Sequence, residues 1–338
     1  MIDRRGVLGA IGAAGATLGA PAIAKPRRRL PPFLNPGDTV GLVSPASTMD
    51  APDSLERADY WIRAMGLVPK FGSNAGGQYG YLAGTDQQRA GDLDAMYRDP
   101  EVKAVFAVRG GWGGARILPL LDWDAIRANP KLLIGFSDVT ALHLAFAQRA
   151  GYATIHGGNA TSSWRPAQWE SLWALAFAGS RAVLGGAAIE ASTGRMGRTV
   201  RGGKARGRLL GGNLTIVSTL MGTGWLPDMD GAILFFEDVN EAEYRVDRMF
   251  AQLKLAGVLG KAAGVVFGQC SECATEAPDY AGFTIDQVVD QYLAPLGVPA
   301  FTGANFGHIG NQLCLPSGAE VEIDADARTV RLLAPIVG

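Results

Sequence analysis

Short, continuously apolar runs closed by turn residues recur through the first half of the chain, and most are followed by a stretch with helical spacing. "TVGLVSPAS" is the first run; a helix candidate spans Pro52 to Met65, and "LVPKFG" reads as a short strand. "TDQQRAGDLDAMYRD" is helical through Leu93 and Met96, "VKAVFAVRG" and "PKLLIGFS" are strands, and "DVTALHLAFAQRAG" is a helix. A run that is apolar at every position has no face to give to water, so it is a strand buried on both sides. Strands alternating with helices predict a parallel sheet covered on both faces. In such a sheet the loops that leave the strands' carboxyl ends gather on one edge, where α/β proteins place their chemistry.

Between about Tyr152 and Gly212 the alternation lapses, through "TSSWRPAQWESLWALAFAG" and the Gly- and Arg-rich "GRMGRTVRGGKARGRLLGGN". This stretch reads as a hinge and the first strand of a second domain. From Asn213 onward come a helix-like "LTIVSTLMGT", a strand "GAILFFE", a helix "EAEYRVDRMFAQLKLAGV", a strand "AAGVVFGQ", a helix near "TIDQVVDQYLAPLG" and a hairpin in "EVEIDADARTVRLL". The expectation is an N-terminal parallel-sheet α/β domain over 36–160, an interdomain linker over 161–200, and a smaller, β-rich C-terminal α/β domain over 201–338. With 338 residues, 48% of them hydrophobic, the chain can bury two cores.

A formal net charge of -1 gives no footprint for a nucleic acid polymer or an anionic membrane and points to small neutral or zwitterionic ligands. The opening "MIDRRGVLGAIGAAGATLGAPAIAKPRRR" reads as an address. Arg4 and Arg5 precede a weakly apolar Gly/Ala run, resembling a twin-arginine export signal, and Ala22 and Ala24 form an A-x-A cleavage site. Residues 1–24 are thus expected to be removed from a soluble, periplasmic protein beginning near Lys25. Of three cysteines, Cys270 and Cys273 stand as C-x-x-C without a second pair or a spaced histidine pair, which favours a disulfide or buried thiols over zinc. No metal is expected, and the odd count leaves a thiol, such as Cys314, over.

Chemistry converges on "LIGFSDVTALH", where a strand gives way to a helix with Ser137 on the turn. A hydroxyl there is exposed at the sheet edge, and the N–H of Asp138, at a helix start, is placed to meet developing negative charge. G-F-S-D-V is similar to the G-x-S-x-G nucleophile turn but lacks its second glycine, and an N-cap serine fits the same position. "VRGGWGGAR" is a second loop at a strand's carboxyl end; Gly110 or Gly111 could bring a further N–H, and Trp112 a contact surface. A nucleophilic serine needs a base. His143 lies on an apolar helix and reads as a core residue, His156 in "IHGGN" as pocket lining, and His308 on the Gly-flanked loop "ANFGHIGNQLCLP" as the adaptable imidazole. Glu237 closes the strand "AILFFE" and could orient that ring, while Asp238, Glu241 and Glu243 suit a solvated helix start. The residues alone leave a serine–base site and a capped turn both open.

The motifs in order resemble the serine LD-carboxypeptidases, or murein tetrapeptide carboxypeptidases, and their relatives the microcin C self-immunity peptidases. The resemblance runs from "TVGLVSPAS" through "RGGWGGARILPLLDWDAI", "PKLLIGFSDVTALHLAF", "GGNLTIVSTLMGT" and "FEDVNEAEYRVDRMFAQLKLAGV" to "FGHIGNQLCLPSGAEVEID". It implies Ser137 as nucleophile, His308 as base, Glu237 as its carboxylate, and the N–H groups of Asp138 and Gly111 as oxyanion donors. It further implies cleavage of an L-D peptide bond that frees a terminal D-alanine from murein peptides, no metal or organic cofactor, and a homodimer. Export departs from relatives that act in the cytoplasm. Trp164, Trp169 and Trp173 lie where microcin-immunity relatives stack an aromatic loop on a nucleobase; Trp164 is a candidate substrate contact with Gly110 and Trp112, whereas Trp169 and Trp173, four apart, fit a helix's core face.

Overall fold

The computed structural model describes residues 29–275 and 279–338. The segment 1–24, expected to be an export signal, lies outside the described residues. In chain order the strands and helices are β1 (Thr39–Val43), α1 (Ser54–Ala64), β2 (Val68–Phe71), α2 (Asp86–Arg98), β3 (Val102–Ala107), α3 (Gly114–Ile117), α4 (Trp123–Ala128), β4 (Leu132–Gly135), α5 (Thr140–Arg149) and β5 (Thr154–His156). The second half follows with α6 (Pro166–Leu172), β6 (Val183–Gly185), α7 (Ala187–Thr193), β7 (Arg198–Arg201), β8 (Lys204–Asn213), α8 (Leu214–Leu220), β9 (Ile233–Val239) and α9 (Glu243–Leu255). It closes with β10 (Gly264–Ser271), α10 (Ile285–Leu293), β11 (Ala300–Thr302), β12 (Leu315–Ser317), β13 (Glu320–Asp324) and β14 (Thr329–Leu332).

The apolar runs of the first half become one sheet in the order β12-β5-β4-β3-β1-β2, parallel throughout except for β12. β4 is buried at every position, as its sequence demands. The second sheet has eight strands in the order β6-β14-β13-β8-β9-β10-β11-β7, with a parallel centre formed by β8, β9, β10 and β11 and antiparallel strands on either side. The chain is thus mixed α/β in two sheets, and "EVEIDADARTVRLL" is the β13–β14 hairpin.

The segment 161–200 is more than the expected linker. It carries α6, a π-helical turn over Trp173–Phe177, α7, and two outer strands of the second sheet, β6 and most of β7. Both strands lie at sheet edges, where half the surface faces water, so their sequences lack the apolar run that marks a central strand.

Nor do the two sheets pack as separate cores. Leu142 and Phe146 of α5, Val217 and Leu220 of α8, and Leu234 and Phe236 of β9 belong to one buried apolar cluster. β12, from the far end of the chain, pairs with β5 of the first sheet. Where the last residues of β8 meet the start of α5, the N–H of Asn213 donates to Thr140 Oγ1 at 2.9 Å in a fully buried setting. Gly212 has a φ of 131°, and a Cβ there would come within 2.4 Å of the same hydroxyl. Among the described residues no helix is long and apolar enough to cross a membrane.

Thr140→Val keeps the shape of that junction but strands the Asn213 N–H. The variant is expected to lose about 1–3 kcal/mol of stability, the cost of an unpaired buried donor, seen as a lower urea midpoint. An unchanged midpoint would show that the two sheets do not lean on this contact.

Candidate active site

β4 ends at Gly135, Phe136 remains extended, and Ser137 turns into the left-handed region with φ 64°. A side chain in that conformation costs about 1–3 kcal/mol and persists only when its surroundings fix it. Three contacts do so. Phe136 N–H donates to Asn159 Oδ1 (3.2 Å), the Asp138 carboxylate accepts from Gly114 N–H (2.6 Å), and the His143 ring Nε2 lies 2.8 Å from the Gly135 carbonyl. A carbonyl can only accept, so Nε2 carries the His143 proton and Nδ1 accepts from Thr154 Oγ1 at 2.8 Å. Burial pushes the His143 pKa down to about 4, so the ring stays neutral, a structural core residue as its apolar helix suggested.

Ser137 does not cap the helix. A 3-10 turn over Ser137–Val139 leads into α5 and no side-chain cap bond forms. Instead Ser137 Oγ lies 2.9 Å from His308 Nε2, and His308 Nδ1 lies 2.7 Å from Glu237 Oε2. Glu237, at 0% exposure, comes from β9 in the second sheet. Gly307 lets the histidine loop pass: its φ is 121°, and a Cβ there would crowd the Gln269 carbonyl at 3.0 Å and the Glu237 Cβ at 3.2 Å. The Phe136 ring packs against His308 with centroids 4.9 Å apart. Burial works against a charged imidazole, but the hydrogen bond and charge of Glu237, with Asp238 and Glu272 adding to them, raise the His308 pKa above its ordinary 6.5.

The glycine loop reaches the same place. A Cβ on Gly110 would stand 2.9 Å from Ser137 Cβ and 3.3 Å from the Asp138 nitrogen, so glycine keeps open the space beside the Ser137 turn. Gly111 lies against Ser47, whose hydroxyl accepts from Trp112 N–H at 2.9 Å, and the Trp112 side chain is exposed at the rim. Burial pushes the Asp138 carboxyl up to about 6, against the pull of the Gly114 and Gly113 amides, so its side chain pins the loop while its backbone follows the serine.

Three expectations are corrected, for Trp164, His156 and Trp173. Trp164 is not a cleft residue: it is 6% exposed and packs edge-on against Phe106 inside the core. His156 does not line the pocket; it is fully buried behind it among Phe136, Phe235 and Phe306. Trp169 packs on the core as expected, but Trp173 is exposed and stacks on Phe177 at 4.6 Å. Cys270 and Cys273 form a disulfide at the end of β10, and Cys314 is a buried free thiol. Among the described residues no group of His, Cys, Asp and Glu is arranged to hold a metal ion.

Sequence reasoning missed the residues that hold the loops. Arg89 is 1% exposed and donates to the carbonyls of Pro45, Gly84 (3.2 Å) and Gly113 (2.8 Å), tying the loops after β1 and β3 to the start of α2. Its signal was present: Arg89 shares the inward stripe of Leu93 and Met96, four and seven residues on. Asp238 accepts from Asn213 Nδ2, Thr215 N–H and Thr215 Oγ1, each at 2.9 Å, and so fixes the start of α8 beside Glu237.

A serine on a strained turn, linked through an imidazole to a buried carboxylate, is the constellation of a serine hydrolase. Residues 40–157 match the LD-carboxypeptidase N-terminal domain and residues 206–323 the LD-carboxypeptidase C-terminal domain. The chain belongs to the LD-carboxypeptidase family. It is 35% identical to the probable murein peptide carboxypeptidase of Bacillus subtilis, over 90% of this chain and 95% of that one. It is 33% identical to the murein tetrapeptide carboxypeptidase of Pseudomonas aeruginosa, over 85% and 93%. Among solved structures, MccF in complex with glutamyl sulfamoyl guanosine superposes with a TM-score of 0.82 at 26% identity, covering 91% of this chain and 99% of that one.

A base must be neutral to accept a proton, so the acidic limb of kcat/KM should lie above the 6.5 of an ordinary histidine. Glu237→Gln keeps the shape but removes the charge that favours imidazolium. Its limb should move to lower pH while the plateau falls. A limb that stays in place would show that Glu237 does not tune His308.

Proposed function

We propose that the chain is a serine LD-carboxypeptidase that releases a terminal D-alanine from murein-derived peptides by a Ser137–His308–Glu237 triad. The observation that carries the reading is the unbroken hydrogen-bond chain from Ser137 Oγ to the buried Glu237 carboxylate. Ser137 Oγ attacks the carbonyl of the L-residue as His308 Nε2 takes its proton, and Glu237 balances the imidazolium. The tetrahedral oxyanion is held by the N–H groups of Asp138 and Gly111, beside the space that Gly110 leaves free. His308 returns the proton to the departing amine of D-alanine, and water, activated by the same ring, frees the acyl group. No step calls for a metal or an organic cofactor.

The names of the Bacillus and Pseudomonas relatives support the substrate class. The paired Arg4 and Arg5 and the Ala22–Ala24 site support export by the twin-arginine route, which would have the enzyme act on periplasmic muropeptides, as a homodimer like its family. The likeness to MccF suggests the same attack on a peptidyl-nucleotide amide; of the three tryptophans in the region where such relatives stack a nucleobase, Trp164 is packed in the core and Trp169 lies against it, while Trp173 is exposed.

Ser137→Ala and His308→Ala are each expected to lower kcat by roughly 10⁴-fold or more, and the double variant by little beyond either, because triad members act as a unit. The assay is D-alanine release from a murein tetrapeptide, with the all-L isomer alongside. The L-D peptide should be cut and the all-L peptide largely refused. Equal cleavage of both isomers overturns the LD specificity, and full activity in Ser137→Ala overturns the mechanism.

A further inference from the structure

β10 runs out of step with β9 beside the triad. Phe267 pairs with Phe236 and Cys270 with Asp238, so Gly268 and Gln269 together stand opposite Glu237, a β-bulge facing the buried carboxylate. The bulge turns Gln269 toward the histidine loop. Its N–H donates to the Phe306 carbonyl at 2.9 Å, and its side-chain amide donates to the carbonyls of Gly303 and Ala304 at 2.8 and 3.3 Å. The Ala304 N–H in turn donates to the Phe267 carbonyl at 3.2 Å. The stretch that leads to His308 is therefore held by the bulge.

The last residues of β10 hold the bulge on its far side. Ser271 pairs with Val239, and its carbonyl accepts from the Asn240 N–H at 2.8 Å. Directly after it the chain turns at Glu272, with φ 57°, and the Cys270–Cys273 disulfide closes that turn. Cys273 is 3% exposed, whereas Cys270 is half-buried in the wall of an open cleft of about 740 Å³, where a thiol can reach it. A bridge between residues three apart removes less chain entropy than a long-range one, so its effect falls on this strand end more than on the whole fold. Against the burial that lowers it, Glu237, Asp238 and Glu272 raise the His308 pKa, so the charge of Glu272, inside the closed turn, is felt at the ring.

We propose that the Cys270–Cys273 disulfide positions the triad: closed, it keeps the bulge and the histidine loop in register with Glu237, and opened by a dithiol it lets His308 shift from Ser137 and slows the serine. The clamp presupposes the Ser137–His308–Glu237 reading but not the identity of the peptide that is cut. In the opening step a thiolate of the dithiol attacks Cys270 Sγ, the Sγ–Sγ bond breaks, and Cys273 leaves as a thiolate that takes up a proton. The second thiol of the reductant then displaces Cys270 from the mixed disulfide, and that sulfur is protonated in turn. Two electrons pass to the cysteines, which end as thiols, and the dithiol ends as its own disulfide.

The test compares the full chain in its oxidised form with the same protein after dithiothreitol, the thiols being counted by alkylation and mass spectrometry. On reduction, kcat for D-alanine release from a murein tetrapeptide should fall about tenfold or more, the scale of a small misplacement of a reacting group, while KM changes little. Fluorophosphonate labelling of Ser137 should slow by a similar factor, and re-oxidation should restore both rates. Near-UV circular dichroism should show the reduced protein still folded. The Cys270→Ser/Cys273→Ser double variant should have the low rate and ignore dithiothreitol. An unchanged rate in the reduced wild type overturns the inference without any variant being made, as does a bridge that dithiothreitol cannot open. So does a fall in rate that comes with loss of the folded spectrum, since the bridge would then serve the whole fold. Labelling of Ser137 without D-alanine release contradicts the substrate reading alone and leaves the labelling rates to decide on the clamp; no labelling of Ser137 in the oxidised protein contradicts the triad and the clamp together.

Discussion

Glu237 is a fully buried carboxylate on one sheet that orients a histidine toward a serine standing on the other. The rest of the structure is organised so that this chain of hydrogen bonds can span two sheets. A displacement of either sheet by an ångström would part Ser137 from His308, so the sheets must be locked rather than hinged. The shared apolar cluster of α5, α8 and β9, the return of β12 to the first sheet, and the Asn213–Thr140 hydrogen bond supply that lock. Family matches on the two halves, residues 40–157 and 206–323, therefore mark parts of one working unit.

Strain at Ser137 follows from the same requirement. An extended strand would direct Ser137 along the sheet, whereas the left-handed turn at φ 64° presents its hydroxyl to the histidine loop. Asn159, Asp138 and His143 fix the residues on either side of the turn, and Arg89 fixes the loops that border it. Charges near the site fall into two groups. Asp238 is engaged by Asn213 and Thr215, its carboxyl pushed up to about 6 by burial and by Glu237, while Glu272 is exposed.

Much of this was legible in the sequence because the parallel sheet writes itself as apolar runs, and the turn after "LLIG" stands out at the end of one. Ser137 follows the end of a strand, His308 sits where a glycine frees a loop, Glu237 lies two residues before the end of β9, and motif order brought them together. What stayed hidden depends on long-range pairing. β12 contains Pro316, which argues against a strand until its place at the sheet edge is known, where a missing N–H costs nothing. β6 and β7 are hidden for a related reason, since an edge strand need not be apolar throughout. Trp164 was misread because an aromatic residue in a loop looks available; only the position of Phe106 shows that it is covered. Arg89 shares the inward stripe of α2, but what makes its burial tolerable is a set of carbonyls, Pro45 and Gly113 among them, from loops distant in sequence.

We infer that Ser137 is made nucleophilic by a ring that Glu237 holds in place. Labelling with a fluorophosphonate, followed by peptide mass mapping, tests this without assuming any substrate. One adduct is expected, on Ser137, formed far more slowly in the His308→Ala protein. Modification at another residue, or equally rapid labelling of Ser137 without His308, would contradict it.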